Sequence, residues 1–332
     1  MPLADDQIRE LVRRFATLDM TGWDTAAFDQ ALAHLNWQPW RYSADEQKWK
    51  REFPRLWDRE EYDTGLDTGR GCFSRHGADD VRSSISIRVG EGDELFLRLR
   101  SALERLLGPP SIMRGPGPLL RWRLPVQLLE LERGSGGHTA LGIRPTAAVE
   151  EDEYRMSNWA EPEDGLGVLG YWQVIGQGAD WVPGGYWTDD WTQLEERLAA
   201  TLQSVVQDFA LLDGPGHFTV VVRTGVDRSF VQWTTHSGWT LQIEAGVPDD
   251  SGPSWSEAMA ELGWQPSDSP DTEGCVIRRF PTLDAQEHTT AARMLVGALQ
   301  SYGVAFEDLS YQVISPDVDL LGIGLTRYEN RI

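Results

Sequence analysis

Along residues 191 to 245 the apolar positions change period once, and that change lays out the clearest unit in the chain. Leu194, Leu198, Leu202, Val205, Val206, Phe209 and Leu212 recur every three or four residues, which puts one apolar stripe on a helix. Thr192 and Glu195 have the spacing of a capping box at its start, and Asp213-Gly214-Pro215-Gly216 supplies the stop. Period two then takes over in three runs, Phe218 to Thr224, Ser229 to His236 and Trp239 to Ala245. Gly225-Val226-Asp227 and Ser237-Gly238 separate them, breaks short enough to force antiparallel neighbours. In the third run Trp239, Leu241 and Ile243 alternate with Thr240, Gln242 and Glu244, as in a sheet with one packed face and one wet face. A helix leading into a three-stranded meander is predicted, a folding core with no catalytic group in it.

The same two periods organise the rest of the chain. Asp5 or Asp6 caps a first helix with the stripe Ile8, Leu11, Val12, Phe15 and Leu18, and a second from Asp24 carries Phe28, Ala31, Leu32 and Leu35 and breaks at Asn36. Trp40 to Phe53 is expected to form strands, and Asp58 to Asp80 a polar loop. Ile85, Ile87 and Val89 mark a strand, followed by a helix over Asp93 to Leu107 that Gly108-Pro109-Pro110 ends. Leu119 to Leu124, Val126 to Glu132 and Thr139 to Ile143 read as strands. Beyond the meander come a helix capped by Ser254 and ended by Gly263, a strand over Cys275 to Phe280, and a helix opened by Asp284 and Glu287. The tail offers strands at Leu309 to Ile314 and Leu320 to Leu325.

A repeat emerges when the halves are aligned. Phe28 to Pro39 (FDQALAHLNWQP) matches Trp255 to Pro266 (WSEAMAELGWQP) at half of its positions, and each copy is followed by Gly-Cys and an apolar residue, Gly71-Cys72-Phe73 and Gly274-Cys275-Val276. Trp37 and Trp264 are therefore expected at equivalent buried positions. The fold class is α+β: two related α+β modules, each an antiparallel sheet packed against helices. The division expected is an N-terminal module over 1–150, an acidic, Gly- and Trp-rich linker over 151–190 with a strand at Tyr171 to Ile175, and a C-terminal module over 191–332.

Composition narrows the partners. With 52 acidic against 30 basic residues the net charge is −22, which disfavours nucleic acid and anionic lipid and makes a basic partner the natural complement. The acids are scattered, unlike the long blocks of a charged tail. Two distant cysteines, Cys72 and Cys275, leave no disulfide framework, and no basic, apolar leader or membrane-length run is found, so a cytoplasmic location is expected. Fifteen tryptophans are many for 332 residues; core packing accounts for most, and partner recognition for some.

Candidate chemistry is sparse. Gly165-Leu166-Gly167-Val168-Leu169-Gly170 has the letters of a dinucleotide loop, but acidic residues precede it and a strand-like run follows, whereas the loop works only between a strand and a helix N-terminus. The six histidines fall singly, with no metal-ligand spacing, so neither a metal nor any other cofactor is expected. Cys72 and His76, or the loop acids Asp63, Asp67, Asp79 and Asp80, are the residues from which an enzyme would have to be built. Phe230 and Trp233, three apart in one strand, point to opposite faces, so one of them meets either another part of the chain or a partner. With the acidic residues Glu244, Asp249 and Asp250 they form the expected partner-binding set, suited to a basic, partly apolar protein or peptide.

The order of helix, meander, helix, strand and long helix over residues 190 to 312, with Phe218-Thr219-Val220-Val221-Val222, Gly238-Trp239-Thr240-Leu241-Gln242-Ile243 and Ala291-Ala292-Arg293-Met294-Leu295-Val296, resembles the bacterial YbjN and type III secretion chaperone-like domains. The N-terminal half is more faintly similar to uncharacterised bacterial domains that occur beside polymorphic toxin systems. The resemblance implies a chaperone or adaptor, or an immunity protein, for a secreted effector or toxin; it brings no catalytic residues. The alternative class is an enzyme using loop carboxylates and the Cys72/His76 pair.

Overall fold

Helix α1 (Asp5–Ala16) forms where Ile8, Leu11, Val12 and Phe15 share one side, and all four are buried. The computed structural model describes residues 3–52, 59–66, 69–115, 117–134, 137–159, 171–174, 188–212, 219–225, 229–236, 240–249, 251–281, 285–314, 318–321 and 323–328. Asp24 caps α2 (Thr25–Leu35) by accepting the Ala27 N–H at 2.9 Å, and Asn36, in the left-handed region at φ 58°, ends it. There follow β1 (Gln38–Pro39), α3 (Ala44–Glu52), β2 (Glu60–Asp63), β3 (Arg70–Ser74), β4 (Ser84–Glu91), α4 (Asp93–Leu107), β5 (Ile112–Arg114), β6 (Leu119–Arg123), β7 (Gln127–Arg133), β8 (His138–Pro145) and α5 (Thr146–Trp159). Three expectations are corrected. The residue before α1 is Ala4, whose N–H donates to Gln7 Oε1 at 2.9 Å, so Asp5 and Asp6 lie in the first helical turn and do not cap it. Residues 44–52 are helical where strands were expected, because Ser43 and Glu46 exchange hydrogen bonds that start a helix. The stretch read as a polar loop contains β2 and β3, whose alternation was masked by charges on the face away from the core.

The strands of this half run β1-β2-β3-β4-β8-β7-β6-β5. Ile85, Ile87 and Val89 of β4 stand beside Leu141 and Ile143 of β8 and Leu129 and Leu131 of β7, forming one apolar face on which α4 packs, with α1 against α4. At its end Trp37 packs against Phe15, Tyr62 and Phe73, with ring centroids 5.6 to 6.5 Å apart. Gly71 makes that packing possible: a Cβ there would lie 2.3 Å from the indole ring.

The second half is built from β9 (Tyr171–Val174), α6 (Trp191–Leu212), β10 (Thr219–Arg223), β11 (Phe230–His236), β12 (Thr240–Gly246), α7 (Pro253–Glu261), β13 (Gln265–Pro266), β14 (Cys275–Phe280), α8 (Ala285–Ser301), β15 (Ser310–Ile314), β16 (Val318–Leu321) and β17 (Thr326–Arg327). Two helix starts differ from expectation. Asp190 caps α6, accepting the Gln193 N–H at 2.8 Å while the Gln193 side chain accepts the Asp189 N–H, so the box lies two residues before Thr192. α7 begins at Gly252-Pro253 and not at Ser254, since Pro at the first helical position presets φ. The Gly165–Gly170 loop and Asp284 lie outside the described residues.

The sheet order is β13-β14-β12-β11-β10-β15-β17, with β9 and β16 paired antiparallel to each other. The meander β10-β11-β12 is antiparallel throughout, with Val220 beside Trp233 and Trp233 beside Ile243. Helices α6 and α8 lie against each other, and α8 packs on β11 and β12, burying Trp233, Val231, Leu241 and Ile243. The chain thus forms two α+β units, centred on Met1–Met113 with Gly117–Met156 and on Pro183–Ile332.

Candidate partner-binding face

Period two in the meander sorts its side chains without ambiguity. Val220, Val222, Val231, Trp233, Thr235, Leu241, Ile243 and Ala245 turn to the helices, and Trp233 is fully buried among them. Thr219, Val221, Phe230, Gln232, Thr234, Gln242 and Glu244 turn to the other face. Phe230 and Trp233 are therefore on opposite faces, as their spacing requires, and the packed side chain is Trp233. As a partner contact Trp233 is corrected: its indole belongs to the helix-facing core. Phe230 is half-buried on the second face, and Tyr302 holds its backbone, the phenol lying 3.0 Å from the Phe230 carbonyl and 2.8 Å from that of Gly246. Burial pushes the Tyr302 phenol well above its ordinary pKa, so it stays a neutral donor there.

Glu244 stands at the middle of the second face. Strand register places Gln312, Val221, Gln232, Glu244 and Ile277 in one row across five strands. The carboxylate accepts the Gln232 side-chain amide at 2.5 Å and the Gln242 amide on its other oxygen, and Arg279 Nε donates to Gln242 Oε1 at 2.7 Å. Glu244 is 4 % exposed and Val221 and Ile277 5 % each, whereas Gln232, Thr234 and Gln242 are half-buried. Among the described residues no cation pairs directly with Glu244; the nearest in its hydrogen-bond chain is Arg279, one amide away. The arrangement meets a carboxylate with amide donors instead of a direct ion pair. Asp249 is exposed in the connection to α7, and Asp250 lies outside the described residues.

The two glutamines were not anticipated. Their signal was present, since Gln232 and Gln242 sit at the polar phase of their strands, but which residues meet Glu244 depends on a register that the sequence leaves unspecified.

Of the residues from which an enzyme would have to be built, Cys72 and Asp80 have shifted pKa values. Cys72 on β3 is half-buried, and burial raises its thiol pKa; the charges around it are Arg59, Glu61, Arg70 and Arg88. A raised pKa disfavours the thiolate that nucleophilic attack needs. His76 acts instead on Asp80, whose carboxyl is held at about 2 chiefly by hydrogen bonds from Arg82. Asp63 accepts the Gly65 N–H at 2.9 Å, and Asp67 lies outside the described residues. Among the described residues no group of three or more His, Cys, Asp or Glu could hold a metal ion, and no helix is long and apolar enough to cross a membrane.

No curated protein and no solved structure matches the chain significantly. A family match falls on the unit just described, the one with the meander, the paired helices and the Glu244 face: residues 184–312 match TY-Chap3, the T3SS (YopN, CesT) and YbjN peptide-binding chaperone 3 family.

Proposed function

We propose that the protein is a cytoplasmic chaperone or adaptor that binds a peptide segment of a secreted effector or toxin, or an immunity protein that holds such a toxin inactive. The observation that carries the reading is the match of residues 184–312 to a family of peptide-binding chaperones. The second face of the C-terminal sheet supplies the chemistry. Phe230 offers an aromatic anchor, Glu244 an acid beside its two glutamines, and Asp249 an exposed acid in the connection to α7; Asp250, next in sequence, belongs to the same proposed set. A basic, partly apolar segment complements that set, and the net charge of −22 steers such a partner inward at low salt.

The test is calorimetric titration of the full-length protein with the partner that co-purifies from the native host. Phe230→Ala is expected to weaken binding by about 2 kcal/mol with the fold retained in circular dichroism. Raised salt is expected to weaken it further, through slower association. Unchanged affinity in Phe230→Ala and in Glu244→Gln, both folded, would remove this face from the reading; a partner without basic residues would remove its chemistry.

A further inference from the structure

The N-terminal sheet also has a second face, and its chemistry differs from that of the C-terminal one. Away from α4 the strands present Glu61 from β2, Arg70 and Cys72 from β3, Ser86 and Arg88 from β4, and Ala140 and Gly142 from β8. Small side chains at the middle of that face make a floor, and long ones at its margin make walls. The result is a cavity of about 510 Å³ lined by Arg59, Glu61, Arg70, Cys72, Ser86 and Arg88 among others, a volume ordinary for a site that takes a small molecule.

Its charges are partly paired within the site. Glu61, whose side chain is 2 % exposed, is engaged by Arg70 at 3.3 Å and more loosely by Arg59 at 3.9 Å. Arg70 is itself fixed, stacked over Trp40 at 4.1 Å and paired with Glu46 at 3.1 Å. Arg88 and the Ser86 hydroxyl have no hydrogen-bond or ion-pair partner among the described residues. Arg59, Arg70 and Arg88 line the cavity with Glu61 and Glu132, Arg70 is shared with Glu46, and the Arg88 donors stay open among the described residues.

We propose that this cavity binds a small organic anion through a carboxylate or phosphate group, held by Arg88 and Arg59 with a hydrogen bond from Ser86. Guanidinium groups recognise both oxyanions in bidentate fashion. This inference is independent of the peptide-binding reading, since all these residues lie outside 184–312.

Cys72 on the floor is a built-in reporter. In a Cys275→Ser variant it is the single thiol, because the chain has two cysteines. Its reaction with a neutral disulfide reagent, dithiodipyridine, is timed at constant ionic strength with inorganic phosphate, citrate or sodium chloride added. Phosphate, citrate or both are expected to slow modification several-fold in a saturable way, with sodium chloride inert; which of them protects names the head group. Arg88→Gln, an exposed substitution that leaves the fold in place, is expected to raise the concentration needed by about tenfold. The proposal is overturned if neither anion protects, if sodium chloride protects equally, or if protection is undiminished in Arg88→Gln.

Discussion

The two Trp-Gln-Pro steps look alike in sequence and are only locally alike in structure. Trp37 and Trp264 are both buried, at 4 % and 3 % exposure, and each follows a helix closed by a left-handed residue, Asn36 at φ 58° and Gly263 at φ 95°. Each leads into a two-residue strand of Gln and Pro. There the likeness stops. Gln38-Pro39 pairs with β2, one strand short of Cys72, whereas Gln265-Pro266 pairs directly with the strand of Cys275. Gly71 makes room for the Trp37 ring, but Gly274 is a turn residue at φ 80° with open space around it. The meander also changes place: β6-β7-β8 follows the step in the first unit, while β10-β11-β12 precedes it in the second. A twelve-residue match thus specifies one helix end and its exit, and longer-range pairing is set elsewhere.

The second faces diverge in how they settle a buried charge. In the first unit Arg121 is 2 % exposed in its side chain and is held by Glu130 at 2.7 Å and by both oxygens of Glu153, which α5 brings over the sheet. In the second, Glu244 is met by amides among the described residues. The largest expected effect follows: Arg121→Ala leaves two poorly hydrated carboxylates together and costs about 3 to 5 kcal/mol in denaturant unfolding. Glu244→Gln, which keeps the shape and removes the charge, costs about 1 kcal/mol by the same measurement. Equal costs would erase the distinction between the faces.

The glycine comparison is sharpened by a smaller pair of effects. Gly71→Ala forces the Trp37 ring to shift and is expected to destabilise by about 2 to 3 kcal/mol. Gly274→Ala meets no atom but must hold a left-handed backbone, at about 1 kcal/mol. Chemical denaturation followed by tryptophan fluorescence reads both; a reversed order would mean that Gly71 does not limit the packing of Trp37.

The smallest effect tests the loop around β3 and β4. The folded-state pKa of Asp80, about 2, lies below its ordinary 3.8, so the unfolded chain binds the proton more readily. Its contribution is fully present above pH 3.8 and is lost as pH falls through about 2. Arg82 is 64 % exposed, so solvent screens the pair and the contribution stays below about 1 kcal/mol. Asp80→Asn should therefore unfold slightly more easily than wild type at pH 6, with the gap closing toward pH 2. A gap that is constant with pH would assign the effect to local packing.

What the sequence by itself determined is whatever depends on neighbours within a few residues. Helix α4 at Asp93–Leu107, strand β14 at Cys275–Phe280, the meander and the opposite orientation of Phe230 and Trp233 all follow from period and punctuation, because backbone geometry fixes which side each residue takes. Tertiary structure decided the rest. Which face of β11 was packed, that β2 and β3 were strands under their charges, that Glu244 met Gln232 and Gln242, and that Arg59, Arg70 and Arg88 gathered over Cys72 all depend on strand register and on residues far apart in the chain. Register is a sum over many weak cross-strand contacts, and no short window of sequence contains both partners.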